Sequence, residues 1–293
     1  MSEKVVFIGL GRMGSAMAQR VLEAGLNLSV FNRDAAKAQP LAALGAKVMG
    51  DPKEAIKGAG LVFTMVSDDR ALLEILDGDL LKAAAPGLTH VSMSTVGVQT
   101  AEKLGQIHAP LGQTLLSCPV FGRPEAAKLG KLNLCLAGPR ASKDRVMDYL
   151  SPMGKVWDFG PRPEGANAAK LAGNFMIASL IELLSEAFSL VENHGVSPQS
   201  FFELMSGSLF DAPAVHTYGG LILAGEFDRP GFLGALGAKD LTLVKDAARL
   251  SHTPMPFCSL VEDRFIRLLA RGWGQRDWSA ISELQREDAG LKK

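Results

Sequence analysis

The stretch Lys4 to Gly25, KVVFIGLGRMGSAMAQRVLEAG, decides how the rest of the chain is read. Val5, Val6, Phe7 and Ile8 form the β-branched and aromatic run that a parallel strand buried on both faces requires. Gly9, Gly11 and Gly14 then fall in G-x-G-x-x-G order, and Met13, Met17, Val21 and Leu22 recur at helical spacing. Each glycine has its own task. Gly9 permits the tight strand-to-helix turn, Gly11 lets a pyrophosphate approach the backbone, and Gly14 lets the helix pack close to the strand. The free N–H groups of the new helix face the anion. The glycine triplet alone is a weak signal. Strand, turn and helix in this order point to a dinucleotide phosphate site that also takes in Leu10, Arg12 and Met13.

The 293 residues favour two domains over one. A hydrophobic content of 47% with 21% charged residues is that of a soluble globular protein. Lys plus Arg and Asp plus Glu both number 31, so no global field draws the chain to nucleic acid or to an acidic membrane surface. Cys118, Cys135 and Cys258 form neither a C-x-x-C pair nor a disulfide framework, which suits a reducing cytosol. The N-terminal apolar run is shorter than a signal-peptide core, so the expected location is cytoplasmic.

Further strands follow at regular intervals. Leu28 to Phe31 reads as the second, ending in Asn32-Arg33-Asp34. A site for NAD usually carries an acidic residue at this strand end. Asn32 stands there instead, followed by the guanidinium of Arg33, a pair suited to the 2′-phosphate of NADPH. The alternative is that Arg33 is a solvated loop residue and Asp34 caps a helix running through Lys37 and Leu41. Ala46 to Met49 reads as a third strand, and Asp51-Pro52 opens a helix. Leu61 to Val66 is apolar throughout, as a central strand should be, and Met65, Val66 and Ser67 at its carboxyl end should border the cofactor. After a fifth strand, Gly87 to Met93, the hydroxyls of Ser94 and Thr95 either meet the nicotinamide ribose or substrate, or cap the helix Gln99 to Ile107. Thr114 to Val120 and Leu132 to Ala137 read as strands, and Trp157 to Gly160 is expected to close the sheet. The alternation gives an α/β, Rossmann-type doubly wound, mostly parallel sheet over residues 1–162, bounded by the Gly- and Pro-rich GPRPEG from Gly160 to Gly165.

Residues 163–293 read as an all-helical domain carrying the substrate site and the oligomer contacts. Ala166 to Asn193 is apolar almost all round, which implies a buried helix. Asn174, Glu182, Ser185 and Glu186 interrupt it too often for a membrane span. Lys170 and Asn174 lie four apart and project from one face. A desolvated lysine can protonate a carbonyl oxygen as hydride reaches the carbon, although a lysine early in a helix is commonly a surface residue.

Four motifs stand out: GLGRMG from Gly9, CPVFGRPEAAKLGKL from Cys118, GANAAKLAGNFM from Gly165 and KDLTL from Lys239. Together they resemble the β-hydroxyacid dehydrogenases, a family that includes 3-hydroxyisobutyrate dehydrogenase and glyoxylate/succinic semialdehyde reductases. The resemblance runs over essentially the whole chain. It implies that Lys170 is the catalytic acid/base, that Asn174 orients substrate, and that Lys239 contacts the cofactor with Asp240 bracing it. It also implies NADPH where Asn-Arg follows the second strand. One departure stands out: family members usually read D-x-P-V-S-G-G where this chain reads Ser117-Cys118-Pro119-Val120-Phe121-Gly122-Arg123, so a serine that helps hold a substrate carboxylate is replaced by Phe121. Arg123 could then anchor the carboxylate, or the substrate is less polar, as in an imine reductase.

The expected activity is hydride transfer from NADPH to a small aldehyde or 2-oxo or semialdehyde acid, with Thr95 and Asn174 positioning it. A reductase of cyclic imines, and a non-catalytic NADPH-binding module, are the alternatives. No H-E-x-x-H occurs, so no metal site is expected. The partners expected are a small carbonyl or imine substrate and further copies of the chain, as a homodimer or homotetramer, with neither nucleic acid nor membrane.

Overall fold

The computed structural model describes residues 3–76 and 78–291. Six strands, β1 (Val5–Ile8), β2 (Ser29–Phe31), β3 (Lys47–Val48), β4 (Leu61–Thr64), β5 (Thr89–Ser92) and β6 (Thr114–Ser117), form one sheet in the order β3-β2-β1-β4-β5-β6. Every pairing is parallel. Helices cover both faces because β1 sends its side chains both ways: Val5 and Phe7 join Met17 and Val21 of helix α1 (Arg12–Glu23), while Val6 and Ile8 join Ile56, Leu72 and Leu76 on the other side. The strand order reverses at β1 and β4, the place where such sheets open a ligand crevice beyond the strand ends.

Not all the expected strands belong to that sheet. The stretch expected as one strand from Thr114 to Val120 breaks after Ser117, and β7 (Val120–Phe121) starts a second sheet beyond Cys118-Pro119. Proline offers no ladder donor, so the interruption has a local cause. This second sheet has the order β7-β8-β9, with β8 at Leu132–Leu136 and β9 at Gly154–Asp158; β7 runs antiparallel to β8, and β8 parallel to β9. The Trp157 region therefore closes a small separate sheet, not the main one. Ser94 serves the sheet and not the helix: helix Val98–His108 has Gly97 as its N-cap, whose N–H donates to Asp69 Oδ1 at 2.7 Å, and Ser94 Oγ accepts from Val66 N–H at 2.8 Å. Asp34 does cap, but caps a short 3₁₀ turn, Ala35–Ala38, through Ala36 N–H.

A buried relay runs from Thr64, at the carboxyl end of β4, through His90 near the amino end of β5 to Gln113 just before β6. Gln113 donates its amide to Leu81 C=O at 2.8 Å, which leaves Oε1 to accept from His108 Nδ1–H at 2.9 Å. His108 Nε2 then accepts from His90 Nδ1–H at 3.0 Å, and His90 Nε2 accepts from the Thr64 hydroxyl at 2.9 Å. With both rings neutral each donor has one acceptor, and it is burial that favours the neutral rings. Burial pushes the pKa of both imidazoles down, and the neighbouring His108 adds to the effect at His90. The sign follows: the folded values lie below the unfolded one, so this contribution to stability is whole above about pH 6.5 and is lost as pH falls through and below it. Long-range imidazole nitrogen NMR should show both rings as Nδ1–H tautomers still untitrated at about pH 6. A charged ring there would contradict the relay.

The chain divides into compact units of residues 1–170 and 171–293. The division falls eight residues beyond the expected 162, because the first turns of the long helix Glu164–Asn193 are tied to the first unit. Asn167 Nδ2 donates to Val96 C=O, and Ala166 packs with Cys135, Ala137 and Phe121.

The second unit is helical: the long helix continues, followed by Pro198–Ser206, Pro213–Ala224, Gly234–Leu250, Pro256–Ala270 and Ile281–Asp288. Its core includes Trp278, with the rings of Phe232, Tyr218 and Phe265 against it. The long helix is not buried all round as its composition suggests. Met176, Leu183 and Leu190 are 69%, 53% and 62% exposed and share one face, seven residues apart. By length and a mean hydropathy of 1.5 this helix resembles a membrane span. Its Glu182, however, pairs with Arg264 of the same unit at 2.6 Å.

Candidate active site

The glycine loop is built as its sequence requires. Gly9 has φ +95°, and a Cβ there would stand 2.3 Å from Met65 C=O. At Gly14 a Cβ would stand 2.0 Å from Gly9 C=O, so α1 lies against the turn. Gly11 is different: a Cβ there would meet nothing within 4 Å. It is the N-cap of α1, no side chain bonds the helix's first N–H groups, and its first turn carries no acid. That is an anion-binding helix start left open.

A cavity of about 540 Å³ opens at this place, lined by Gly9, Gly11, Asn32, Met65, Val66 and Ser67. The carboxyl ends of β1, β2 and β4 thus converge as the sequence indicates, and the open space at Gly11 together with the uncapped helix start fits a dinucleotide. The role of Asn32 is more structural than expected. Its Oδ1 accepts from Leu10 N–H at 2.9 Å and its Nδ2 donates to Asp34 C=O at 2.9 Å, so the amide fastens the glycine loop to the end of β2. The cationic character beyond it comes from Arg33, Lys37 and Lys53, all lining the cavity. The acidic neighbours there are already engaged. Asp51 accepts from Lys53 N–H and Glu54 N–H, and Glu74 pairs with Arg70 at 3.5 Å. Lys37 and Lys53 escaped the sequence reading; Lys53 follows the Asp51-Pro52 helix start just past β3, a sheet-edge position that marks it in retrospect.

Other candidates are placed as follows. Arg12 is exposed, 4.0 Å from Glu125. Met13 packs, partly buried, on the core beside α1. Thr95 is half-buried two residues before the Gly97 cap. Arg123 is the half-buried N-cap residue of the short helix Pro124–Lys128. The thiol of Cys118 is wholly buried and burial drives its pKa far up, so it is a packed side chain and not a nucleophile.

Lys170, in the first unit, is 7% exposed, with its Nζ 4.0 Å from the centroid of the Phe121 ring. Asn174 follows one helical turn later and belongs to the second unit, where it is 3% exposed. Its Nδ2 donates to Asp240 Oδ2 at 2.5 Å. The other oxygen of Asp240, itself buried, pairs with Lys239 Nζ at 2.9 Å. Asp240 therefore ties Asn174 to Lys239, a bridge that the KDL spacing leaves invisible because it links helices 66 residues apart in sequence. Among the described residues no group of His, Cys, Asp and Glu is arranged to hold a metal.

The glycine turn, the open helix start and the crevice beyond the strand ends mark a dinucleotide-binding, Rossmann-type protein in class. Residues 4–160 match the model of the NAD-binding domain of 6-phosphogluconate dehydrogenase, and residues 165–285 that of the NAD-binding domain of NADP-dependent 3-hydroxyisobutyrate dehydrogenase. The chain belongs to the β-hydroxyacid dehydrogenase family. It is 37% identical over 281 residues to the oxidoreductase YfjR of Bacillus subtilis, covering 95% of this chain and 98% of that one. It is 30% identical to the 3-sulfolactaldehyde reductase of Escherichia coli, covering 98% and 97%. Its fold is also that of the 3-hydroxyisobutyrate dehydrogenase of Mycobacterium tuberculosis solved with L-serine, with a TM-score of 0.89 at 29% identity over 98% of this chain and 100% of the other. The protein is thus an NAD(P)-dependent oxidoreductase.

Proposed function

We propose that this enzyme uses NADPH to reduce a small aldehyde or 2-oxo or semialdehyde acid, with Lys170 as the proton donor. The observation that carries the reading is the buried Lys170 amine, one helical turn from an Asn174 whose amide is held by Asp240. When bound, the cofactor supplies the hydride. Gly9, Leu10, Gly11, Arg12, Met13 and Gly14 would hold its pyrophosphate, Asn32 and Arg33 its adenosine ribose, and Met65, Val66, Ser67, Thr95 and Lys239 the remainder. As hydride reaches the carbonyl carbon, the C–O π pair moves to oxygen and Lys170 Nζ gives that oxygen a proton. The lysine becomes a neutral amine and regains a proton from water. Asn174 and Thr95 position the carbonyl, and Arg123 takes a carboxylate by a charge-assisted contact.

Preference for NADPH is supported by Arg33, Lys37 and Lys53 facing one cavity whose carboxylates are engaged elsewhere. The test is the absorbance of reduced nicotinamide with glyoxylate, succinic semialdehyde and a cyclic imine, using NADPH and NADH in parallel. We expect kcat/KM at least about tenfold higher with NADPH, the ratio that one charge-assisted phosphate contact supports. A clear NADH preference would remove the cofactor assignment. Tight NADPH binding without turnover of any carbonyl or imine would leave a binding module in place of an enzyme. A cytoplasmic location goes with this proposal, in keeping with the free, buried Cys118, Cys135 and Cys258. The exposed seam of Met176, Leu183 and Leu190 supports a homodimer or homotetramer closed by this helix, an assembly that a monomer mass in light scattering would exclude.

A further inference from the structure

Lys170 rests on an aromatic floor. Phe121 stands on β7 opposite Asn133 of β8, and its ring packs with Cys135, Ala137 and Ala166. The position is fixed by backbone on both sides: Cys135 N–H donates to Pro119 C=O at 2.9 Å, and Gly122 follows with φ +139° in a space where a Cβ would stand 2.5 Å from Leu132. The ring therefore has little freedom to leave. Its face carries the negative lobe of the quadrupole, and a cation 4.0 Å from the centroid lies well inside the range of that attraction.

We propose that Phe121 is a positioning residue for the reaction, its ring face holding the Lys170 ammonium where the proton is handed over. The inference rests on Lys170 being the proton donor. The attraction acts on the ammonium and is lost in the neutral amine, so it also favours the return of a proton from water after each turnover. The ring itself neither gives nor takes a proton or an electron.

Two measurements test it. In the cofactor-free protein, lysines are dimethylated with ¹³C-formaldehyde and a borane reductant, and the Lys170 resonance is identified by its absence in Lys170→Met. Over a ring face its methyl signal should lie upfield of the other lysines, return to their position in Phe121→Leu, and stay upfield in Phe121→Tyr. In steady state, Phe121→Leu should lose about 3- to 30-fold in kcat with KM for NADPH little changed, and Phe121→Tyr should recover most of that loss. Melting curves check that both variants fold. Equal activities of the Leu and Tyr variants, or an unshifted methyl signal in the unmutated protein, would overturn the proposal. If Phe121→Leu is silent while Lys170→Met is inactive, only the role of the ring fails. If Lys170→Met keeps its kcat, the proton-donor reading itself fails.

Discussion

Replacing Lys170 by Met should lower kcat about 10²- to 10⁴-fold, the usual contribution of a positioned general acid, while the dissociation constant for NADPH moves less than about threefold. The choice of Met matters. It keeps an unbranched side chain over Phe121 and removes only the ammonium, so the loss reads chemistry in place of packing. Melting curves of the parent and of Lys170→Met check that the loss of turnover is not a loss of fold. Loss of cofactor affinity equal to the loss in kcat would assign Lys170 to binding instead, and unchanged turnover would end its role altogether. Asn174→Ala should behave differently. It strips Asp240 of one partner while Lys239 remains paired to it, so its effect should include KM for substrate.

What the sequence discloses about such a site depends on whether the signal is local. The glycine loop is legible because strand, turn and helix are consecutive, and each glycine's conformation follows from its nearest neighbours. The lysine and asparagine one turn apart are legible for the same reason, since helix period alone puts them on one face. Contacts made across the fold are not. Asp240 holding Asn174, the relay from Thr64 through His90 and His108 to Gln113, and the Phe121 ring under Lys170 join elements whose adjacency arises only when the sheets assemble. The split after Ser117 was hidden because residues 114–120 are apolar enough for one strand, and Pro119 was the available warning. At the long helix an apolar composition all round does not mean burial within the chain. Met176, Leu183 and Leu190 are instead exposed on its outer face.

The three glycines, though they share one motif, should fail in different ways. Gly9→Ala forces a side chain into φ +95° and toward Met65 C=O, a backbone atom that cannot swing aside. The conformational and steric costs together should destabilise the first unit by about 2–4 kcal/mol, seen as a lower urea midpoint, with loss of cofactor binding following from unfolding. Gly14→Ala should act likewise, since its Cβ would strike Gly9 C=O. Gly11→Ala has no such cost. Its φ of −69° and ψ of −173° suit any residue, and open space surrounds the new methyl. Losing a glycine from the unfolded chain should even stabilise the fold by up to about 1 kcal/mol. Yet that open space lies at the start of α1, where the pyrophosphate must approach the backbone, so NADPH affinity should fall at least about tenfold. A Gly11→Ala protein that is as stable as its parent but weak in cofactor binding would separate the glycine that serves the ligand from the two that serve the chain. Undiminished affinity in that variant would mean that the dinucleotide does not pass over Gly11.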